Sequence, residues 1–308
     1  MKISVVVPTY RRPRDLGRCL AALRTQARPL DELIVVLRAD DVETRAMLRT
    51  VDFAGLSLRP IEVNAAGAVA AYNVALEVAR GDIIAITDDD SSPHQDWLER
   101  IEAAFSADQS IGGVGGRDII HENGSILAGS AADVGRIQWF GRMVGNHHLG
   151  VGAAREVDVL KGVNMSFRRA AIEGVRFDAR LLGQGAQAHL EVGFCMRLKK
   201  KGWKVTYDPR VQVDHFPAIR QDYDRRHSWN ATALTNAVHN ETLALLEFLP
   251  PLRRAVFLVW ALLVGTRAAP GLAQAVRLQW RGKSEAAPRV LASLRGRYEG
   301  WRTWRRGG

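Results

Sequence analysis

The feature that most constrains the fold is a regular alternation of short apolar runs and amphipathic segments in the first third of the chain. The apolar runs are rich in β-branched residues and predict buried strands over residues 3–7, 33–37, 58–63 and 83–87. Between them, apolar residues repeat at helical spacing over residues 16–23, 42–48 and 68–79. Because strands that alternate with helices form parallel sheets, the sequence predicts an α/β fold with a mostly parallel, doubly wound sheet.

After residue 110 the pattern becomes less regular. Glycine-rich segments over residues 111–130 predict loops, with turns and short strands up to about residue 160. Residues 161–169 are expected to form a loop that leads into a helix. A helix is then predicted over residues 190–201, where Gly202 ends it. A strand over residues 203–207 is expected to stop at a turn formed by Asp208 and Pro209.

The C-terminal part is predicted to be a separate helical region. Its helical pattern is broken at Pro250–Pro251 and again at Pro270–Gly271, because proline cannot continue a helix. We therefore expect one α/β domain over residues 1–220, followed by a basic, apolar helical region over residues 221–308.

The net charge of +10 is unevenly distributed along the chain. Residues 1–196 hold 22 Lys and Arg against 25 Asp and Glu, whereas residues 197–308 hold 21 against 8, a net charge of +13. Such an asymmetry favours anionic partners, either phospholipid head groups or nucleic acid. No RNA-binding signature accompanies the basic residues, so we expect no nucleic-acid partner.

The cysteines and the N-terminus favour the cytoplasm. Cys19 and Cys195 each lie within an apolar helical pattern, and their spacing fits neither a disulfide framework nor a metal knuckle. The apolar run that follows Lys2 has five residues before Pro8, which is shorter than the hydrophobic core of a signal peptide.

Three consecutive carboxylates, Asp88, Asp89 and Asp90, follow the predicted strand 83–87 directly. Their mutual repulsion is unfavourable unless a cation relieves it, and hard oxygen ligands favour Mg²⁺ or Mn²⁺. In parallel sheets ligands bind beyond the carboxyl ends of the strands, which is where this cluster lies. The alternative is that Asp90, Ser91 or Ser92 caps a helix that begins near Pro93.

Five segments in this order resemble the inverting family 2 glycosyltransferases, which have the GT-A nucleotide-sugar-binding fold. The segments are SVVVPTYRR, GDIIAITDDD, GVNMSFRR, HLEVGFCMRLKKKGW and VQVDH. The resemblance spans roughly residues 2–217. It implies that the chain transfers a sugar from a UDP-, GDP- or dTDP-sugar donor to an acceptor hydroxyl with the help of Mn²⁺ or Mg²⁺.

The resemblance also implies roles for particular residues on the donor side. Pro8, Thr9 and Arg11 should border the nucleotide. Asp88 should lie near the ribose and the metal, with Asp89 beside it, while Asp90 should coordinate the metal. His215 should reach the metal or the diphosphate from the far side, although a histidine beside an aromatic residue is often only packed.

Other candidates for the donor or acceptor site have simpler explanations. In the segment VVLRADD, Arg38, Asp40 or Asp41 are candidates for contact with the base, but Asp40 or Asp41 would equally cap the next helix. Asn64, Gly67 and Asn73 resemble the Asn-x-x-Gly stretch that backs the donor site, but helix capping by Asn64 would also explain them. The resemblance further places Asn164, Ser166 and Arg168 along the donor-sugar or acceptor channel.

An inverting transfer needs a base for the acceptor hydroxyl, and the resemblance places Glu191 in that role. Glu191 lies in the first turn of a predicted helix, whose dipole favours the ionised carboxylate. The alternatives are that Glu191 only stabilises its helix, or that His189 is the base. Leu190 stands where the family often has an acidic residue, which leaves open an inactive nucleotide-sugar-binding or scaffold protein. A nucleotidyltransferase would need a glycine-rich loop after the first strand, which VVVPTYRRP lacks.

The C-terminal region predicts contact with a membrane surface. The apolar run over residues 255–265 is shorter than the roughly 20 residues that a spanning helix needs. Arginines and tryptophans flank it, which suits a helix lying on anionic lipid. These residues are Arg253, Arg254, Trp260, Arg267, Arg277, Trp280 and Arg281. The alternative is a helix packed on the rest of the protein or on a second subunit.

Processive members of the family carry a Gln-x-x-Arg-Trp motif and several spanning helices. Here Gln274 and Arg277 have that spacing, but Leu278 follows them. The resemblance therefore implies a non-processive enzyme that adds one sugar to a lipid-linked or glycan acceptor, peripheral on the inner face of the cell membrane, in cell-surface polysaccharide synthesis.

Overall fold

A computed structural model describes residues 1–50, 55–219, 223–225, 228–280 and 285–307. The chain divides into two compact units that are not continuous in sequence. Unit 1 comprises Met1–Arg136, Gly145–Phe177 and Phe194–Ala218, and unit 2 comprises Ile137–Val144, Asp178–Gly193 and Ile219–Gly308.

The element order alternates strands and helices at first and ends in helices. The strands are β1 Ile3–Thr9, β2 Glu32–Arg38, β3 Leu58–Val63, β4 Ile83–Thr87, β5 Ser91–Pro93, β6 Ile111–Glu122, β7 Ser125–Ile126, β8 Arg136–Ile137, β9 Met143–Val144, β10 Arg155–Glu156, β11 Asn164–Arg168 and β12 Lys204–His215. The helices are α1 Pro13–Arg24, α2 Val42–Thr50, α3 Ala68–Val78, α4 Trp97–Ala107, α5 Arg169–Ile172, α6 Leu190–Lys200, α7 Ala231–Phe248, α8 Pro251–Leu263, α9 Leu272–Trp280 and α10 Ala286–Arg306. A short 3₁₀ helix covers His147–Leu149.

The main sheet has the strand order β10-β12-β6-β11-β4-β1-β2-β3. Strands β4, β1, β2 and β3 are parallel, and β12 is parallel to β6. Strand β11 is antiparallel to both of its neighbours, β4 and β6. The side chains of β4 are buried throughout, as expected for a strand covered on both faces. The predicted α/β fold with a mostly parallel sheet is confirmed.

The prediction of loops at residues 111–120 is wrong, because this glycine-rich segment is strand β6. A Cβ atom on Gly112 would lie 2.7 Å from Cβ of Trp203, and one on Gly116 would overlap the carbonyl oxygen of Val211. The glycines therefore allow β12 and the flanking residues to approach β6 closely. They do not mark turns in this part of the sheet.

Two further predictions for unit 1 are wrong. Residues 164–168 form the antiparallel strand β11 instead of a loop, because their backbone pairs with β4 on one side and β6 on the other, and residues 164–167 are buried. Asp208 and Pro209 do not end a strand in a turn. Strand β12 continues past them to His215, and the pairing with β6 shifts register between Asp208 and Gln212, as in a β-bulge.

Both helix breaks predicted from the prolines are present in unit 2. Helix α8 begins at Pro251, and α9 begins two residues after Pro270. Helix α10 approaches α7 closely at Gly296, where a Cβ atom would lie 2.6 Å from the carbonyl oxygen of Thr235. Within the described ranges, no helix is both long enough and apolar enough to cross a membrane.

Candidate functional site

The carboxyl ends of β1 and β4 lie side by side, because these strands are neighbours and parallel. Thr9 ends β1, and the three aspartates follow β4. The hydroxyl of Thr9 donates a hydrogen bond of 2.8 Å to Asp89. The structure thus brings Thr9, with Pro8 next to it, into the neighbourhood of the acidic cluster.

Asp89 is 2 % exposed and lies against a cation that the sequence analysis did not single out. Arg12 Nη1 lies 2.9 Å from Oδ1 of Asp89, while Thr9 occupies Oδ2. Burial raises the pKa of Asp89 to about 7, and Asp90 adds to this rise, so that together they outweigh Arg12 and Thr9. Arg12 is the second arginine of the segment SVVVPTYRR, and its position in this segment could have identified it as a candidate site residue.

Asp90 is almost completely buried and lies between Arg12 and His215. Its Oδ2 accepts a hydrogen bond of 2.9 Å from the backbone N–H of Ala218. Its Oδ1 lies 3.4 Å from Nε2 of His215, the last residue of β12, and Arg12 Nη1 lies 3.8 Å from Oδ2. The structure therefore places Asp90 and His215 next to each other.

The other ring nitrogen of His215 faces a second buried carboxylate. Nδ1 lies 3.5 Å from Oδ2 of Asp118, which has no exposed surface and also pairs with Lys161. Burial by itself would lower the pKa of His215, but hydrogen bonding to Asp118 and Asp90 outweighs burial and raises it. Burial would raise the pKa of Asp118, but His215 and Lys161 lower it.

These groups form one chain of alternating basic and acidic side chains, which we call the charge chain. In order it consists of Lys161, Asp118, His215, Asp90, Arg12 and Asp89. Paired charges can be buried because each neighbour offsets part of the desolvation cost of the next. Sequence reasoning missed Asp118 and Lys161, because they come from β6 and from the residues before β11.

Asp88 is partly exposed at the edge of the charge chain. One of its carboxylate oxygens accepts a hydrogen bond of 3.3 Å from the hydroxyl of Tyr72, and its carbonyl oxygen accepts from Ser91. The alternative that Asp90, Ser91 or Ser92 caps a helix near Pro93 is wrong. Residues Ser91–Pro93 form β5, which pairs with β12, and α4 begins only at Trp97.

A second cluster lies at the carboxyl ends of β1 and β2. Asp40 accepts hydrogen bonds from Tyr10 (3.0 Å) and Arg11 (3.4 Å), and Arg38 Nε lies 3.1 Å from it. The Arg38 guanidinium also lies 4.4 Å from the centre of the Tyr10 ring. These side chains are partly or largely exposed, so that the cluster can meet a ligand.

The neighbouring Asp41 has a structural role. Its carboxylate caps α2 by accepting a hydrogen bond from the backbone N–H of Thr44 (3.1 Å). It also accepts a hydrogen bond from the backbone N–H of Arg11 (2.5 Å). Arg11 has φ of 55°, a left-handed conformation that costs energy for a residue with a side chain. The helix-capping interpretation therefore holds for Asp41, while Asp40 remains with the exposed cluster.

Three predicted asparagines are placed differently. Asn64 is exposed just after β3, and the cap of α3 is Gly67, so the proposed helix capping by Asn64 is wrong. Asn73 exchanges two hydrogen bonds with the backbone of Phe177. Asn164 is 1 % exposed, and its amide binds the indole N–H of Trp97 (2.9 Å) and carbonyl oxygens of β6 and β12. The structure gives Asn164 a role in the core.

Ser166 and Arg168, the other channel candidates on β11, are also tied to the protein. Ser166 has no exposed surface. The guanidinium of Arg168 donates to carbonyl oxygens at the end of α4, including that of Phe105 at 2.8 Å. Neither side chain therefore faces an open channel.

Glu191 lies in the first turn of α6, as predicted, and its side chain is partly buried. It belongs to unit 2. Just before α6, His189 is held in an uncommon conformation with φ of 68°, and its carbonyl oxygen accepts from the backbone N–H of Val192.

The donor set at Asp90 and His215 fits two positions around a divalent ion. Carboxylate oxygen and imidazole nitrogen both suit Mn²⁺, and two adjacent ligands of an octahedral ion lie about 3 Å apart. The observed separation of 3.4 Å is close to this value. Among the described residues, no group of three or more His, Cys, Asp or Glu side chains is gathered to hold an ion by itself. Water and the phosphate oxygens of a substrate would supply further ligands.

The sequence model of glycosyl transferase family 2 matches residues 4–173, which is more than half of the chain. The chain therefore belongs to glycosyl transferase family 2, and the predicted family is confirmed. The match covers β1 to α5 and includes most of the charge chain.

Two curated relatives and one solved structure illustrate the similarity. Glycosyltransferase AglE from Haloferax volcanii is 30 % identical over 210 residues, which is 67 % of this chain and 64 % of the relative. The chain thus covers less than two thirds of the length of that relative. Glucosyl-dolichyl phosphate glucuronosyltransferase from the same organism is 25 % identical over 228 residues, 70 % of this chain and 69 % of the relative.

The solved structure is the mannosyltransferase PcManGT from Pyrobaculum calidifontis in complex with GDP-Man and Mn²⁺. It superimposes with a TM-score of 0.58 at 18 % identity and covers 96 % of this chain and 86 % of that one. This likeness shows a shared GT-A glycosyltransferase fold.

Proposed function

We propose that this chain is a metal-dependent inverting glycosyltransferase that moves one sugar from a nucleotide-sugar donor to a hydroxyl of a lipid-linked or glycan acceptor. The observation that carries the proposal is the pairing of Asp90 with His215 at the carboxyl ends of parallel strands, in a chain of glycosyl transferase family 2. Their oxygen and nitrogen donors are the types that Mn²⁺ accepts beside phosphate oxygens.

In this proposal the donor lies across the two clusters of unit 1. Asp88, Asp90 and His215 hold the divalent ion, Mn²⁺ or Mg²⁺, which when bound neutralises charge on the leaving nucleoside diphosphate. Both oxygens of Asp89 are engaged by Thr9 and Arg12, so Asp89 orients these two residues.

The exposed cluster would contact the nucleotide. Arg11, Arg38 and Asp40 offer charged groups, and Tyr10 offers a ring, beyond the ends of β1 and β2. Pro8 and Thr9 border this position along β1, and Asn64 follows β3 at the next strand end. A similar fold binds GDP-Man and Mn²⁺ in the mannosyltransferase structure, which supports this assignment.

Glu191 is proposed as the base. As the acceptor oxygen bonds to the anomeric carbon, the bond from that carbon to the diphosphate breaks, and the hydroxyl proton passes to the Glu191 carboxylate. The first turn of α6 favours the ionised carboxylate that this step requires.

We place the reaction at the inner face of the cell membrane, in the synthesis of a cell-surface polysaccharide. One relative is named for glucosyl-dolichyl phosphate, a sugar on a lipid phosphate, which supports a lipid-linked acceptor. The basic C-terminal region supports a position next to anionic lipid.

The proposal is tested by screening a panel of UDP-, GDP- and dTDP-sugars for thermal stabilisation with and without Mn²⁺. Binding to the native state alone raises stability by about 2.7 kcal/mol when the ligand is at 100 times its dissociation constant. We expect one donor to raise the melting temperature with Mn²⁺, and Asp90→Ala to abolish the shift. Asp96→Ala, a partly exposed aspartate just before α4 and outside the charge chain, serves as the matched control.

A second measurement separates binding from turnover. Glu191→Gln should keep the donor-dependent stabilisation and lose sugar transfer. If no nucleotide sugar stabilises the protein, the proposal is wrong. If a donor binds and turnover is absent in both the natural chain and Glu191→Gln, the protein is a nucleotide-sugar-binding scaffold instead.

A further inference from the structure

Helices α8 and α9 of unit 2 expose an unusual number of large apolar side chains. On α8, Leu252, Val259 and Leu263 are at least half exposed, while Phe257 and Ala261 are buried. The exposed residues are spaced seven and four apart, so they lie along one side of the helix. Helix α8 therefore packs into unit 2 on one side and presents an apolar stripe on another.

Helix α9 repeats this arrangement over a shorter length. Leu272, Val276 and Trp280 follow one another at intervals of four residues, which places them in one row. Each is more than half exposed, and Trp280 is 88 % exposed. A monomeric soluble protein rarely exposes so many neighbouring apolar side chains.

A hydrogen-bonded turn joins helices α8 and α9. Thr266 N–H donates to the carbonyl oxygen of Ala269 (2.9 Å), and Gly271 N–H donates to that of Val264 (3.2 Å). Gly265 has φ of 66°, which a glycine adopts without strain. We call residues 251–280 the α8–α9 hairpin.

The charge of this segment has one sign. Between Glu247 and Glu285 the sequence contains no Asp or Glu, but it contains six Lys and Arg. Two of them make contacts within the protein. Arg253 donates hydrogen bonds to the carbonyl oxygens of residues 138 and 139, and Arg254 lies over the Trp304 ring. Arg267 at the turn and Arg277 on α9 are exposed. Arg281 and Lys283 lie outside the described residues.

We propose that the α8–α9 hairpin docks in the plane of a bilayer that contains anionic phospholipid. The apolar rows of both helices would enter the boundary between head groups and acyl chains, with Arg267 and Arg277 at the level of the phosphates. Trp280 suits this interface, because an indole combines an apolar body with a polar N–H. The apolar rows are bordered by arginines, and no acidic residue lies among them. Anionic lipid complements this composition, because it offers acyl chains beside negatively charged phosphates. The inference rests on the proposed function only in giving the docking a purpose, access to a lipid-linked acceptor.

The test is co-sedimentation of the full chain with vesicles of phosphatidylcholine and with vesicles in which part of that lipid is replaced by phosphatidylglycerol. We expect stronger binding to the phosphatidylglycerol vesicles, weakened by salt. The double variant Val259→Glu with Leu263→Glu should bind at least about tenfold more weakly, because two inserted apolar side chains are lost. Leu291→Glu, an equally exposed leucine on α10, is the matched control and should bind as the natural chain does.

The contribution of charge is tested separately. Arg267→Gln and Arg277→Gln should each weaken binding to phosphatidylglycerol vesicles about fivefold and leave binding to pure phosphatidylcholine unchanged.

Two results would overturn the inference. One is the absence of vesicle binding, or a loss in Leu291→Glu as large as in the double variant. The other is self-association of the natural chain without lipid, measured by sedimentation velocity, that the double variant abolishes, since the hairpin would then contact a second copy. Donor-dependent stabilisation, measured without vesicles, should persist in the double variant. Failure of the docking and failure of the proposed transferase function therefore give different results.

Discussion

The charge chain of unit 1 and the α8–α9 hairpin of unit 2 place charged and apolar groups in opposite ways. In the charge chain, the carboxylates of Asp89, Asp90 and Asp118 are buried, and each lies next to a cation. In the hairpin, apolar side chains face outward, and the exposed arginines have no acidic residue in the same stretch of sequence. Each arrangement is unfavourable for a chain that only has to fold.

The difference indicates two kinds of functional surface. Buried ion pairs rarely stabilise a protein more than apolar residues of the same volume would, so their presence favours a need for fixed, charged groups. Exposed apolar rows gain nothing in water, so their presence favours a partner that removes them from water. The first arrangement suits a small polar ligand, and the second suits an extended apolar one.

The largest expected effect concerns Asp90. Asp90→Asn removes the charge that the proposed divalent ion requires, and the loss of several kcal/mol of transition-state stabilisation corresponds to a decrease in kcat/KM of about a thousandfold. The measurement is transfer from the donor found in the screen. Asp96→Asn, at a partly exposed residue just before α4, should retain activity. Vesicle binding should be the same in both variants. A loss of vesicle binding in Asp90→Asn alone would contradict the separation of the two surfaces.

The next effect compares the same kind of substitution in both regions. Lys161→Met leaves Asp118 buried without its lysine, which should lower the free energy of unfolding by about 3 kcal/mol. Arg267→Met, at the exposed turn of the hairpin, should change it by less than about 0.5 kcal/mol. Urea unfolding of both variants at pH 7 measures the difference. A cost for Arg267→Met as large as that for Lys161→Met would mean that the turn is paired within the protein.

The two regions also differ in how far the sequence revealed them. The apolar run of β4 and the prolines at 250 and 270 act locally, so the strand and the helix breaks were predictable. The apolar, basic helices of the hairpin were predictable for the same reason, since their apolar residues and arginines follow one another in one stretch of sequence. The charge chain was predictable only in part, because Asp118 and Lys161 meet His215 only once β6, β11 and β12 are ordered in the sheet.

The errors have the same origin. The glycines of β6 favour loops when considered alone, and only the close approach of Trp203 and Val211 explains them. Asn164 has the residue type of a ligand contact, but the position of Trp97 makes it a core residue. Both depend on partners that are distant in sequence, which local patterns do not report.

A smaller effect concerns pH. Burial lowers the pKa of His147 in unit 1 to about 4, although its hydrogen bond to the carbonyl oxygen of Val159 opposes the shift. In the unfolded chain His147 binds a proton near pH 6.5, whereas in the folded chain it does so only near pH 4. The contribution of neutral His147 to the free energy of unfolding is therefore complete above pH 6.5 and falls as the pH drops toward 4. We expect a loss of about 2 kcal/mol between pH 6.5 and pH 5, which His147→Gln should lack.

The hairpin provides the contrast for this measurement. Residues 249–280 contain no Asp, Glu, His or Cys, so vesicle binding should not change over the same pH range. Chemical unfolding and co-sedimentation at each pH give the two curves. A decrease of vesicle binding that follows the titration of His147 would show that the two regions are coupled.

The smallest effect is expected for an isosteric change in the hairpin. Val259→Thr places a hydroxyl where the side chain already meets water, so the free energy of unfolding should change by less than about 0.5 kcal/mol. Val35→Thr, at a fully buried position of β2, adds a hydroxyl to the core and should cost about 2 kcal/mol. Urea unfolding without lipid measures both. Equal costs would mean that protein covers Val259 in solution. The apolar row of α8 would then belong to a core or to an interface between copies, and the contrast between the two regions would disappear.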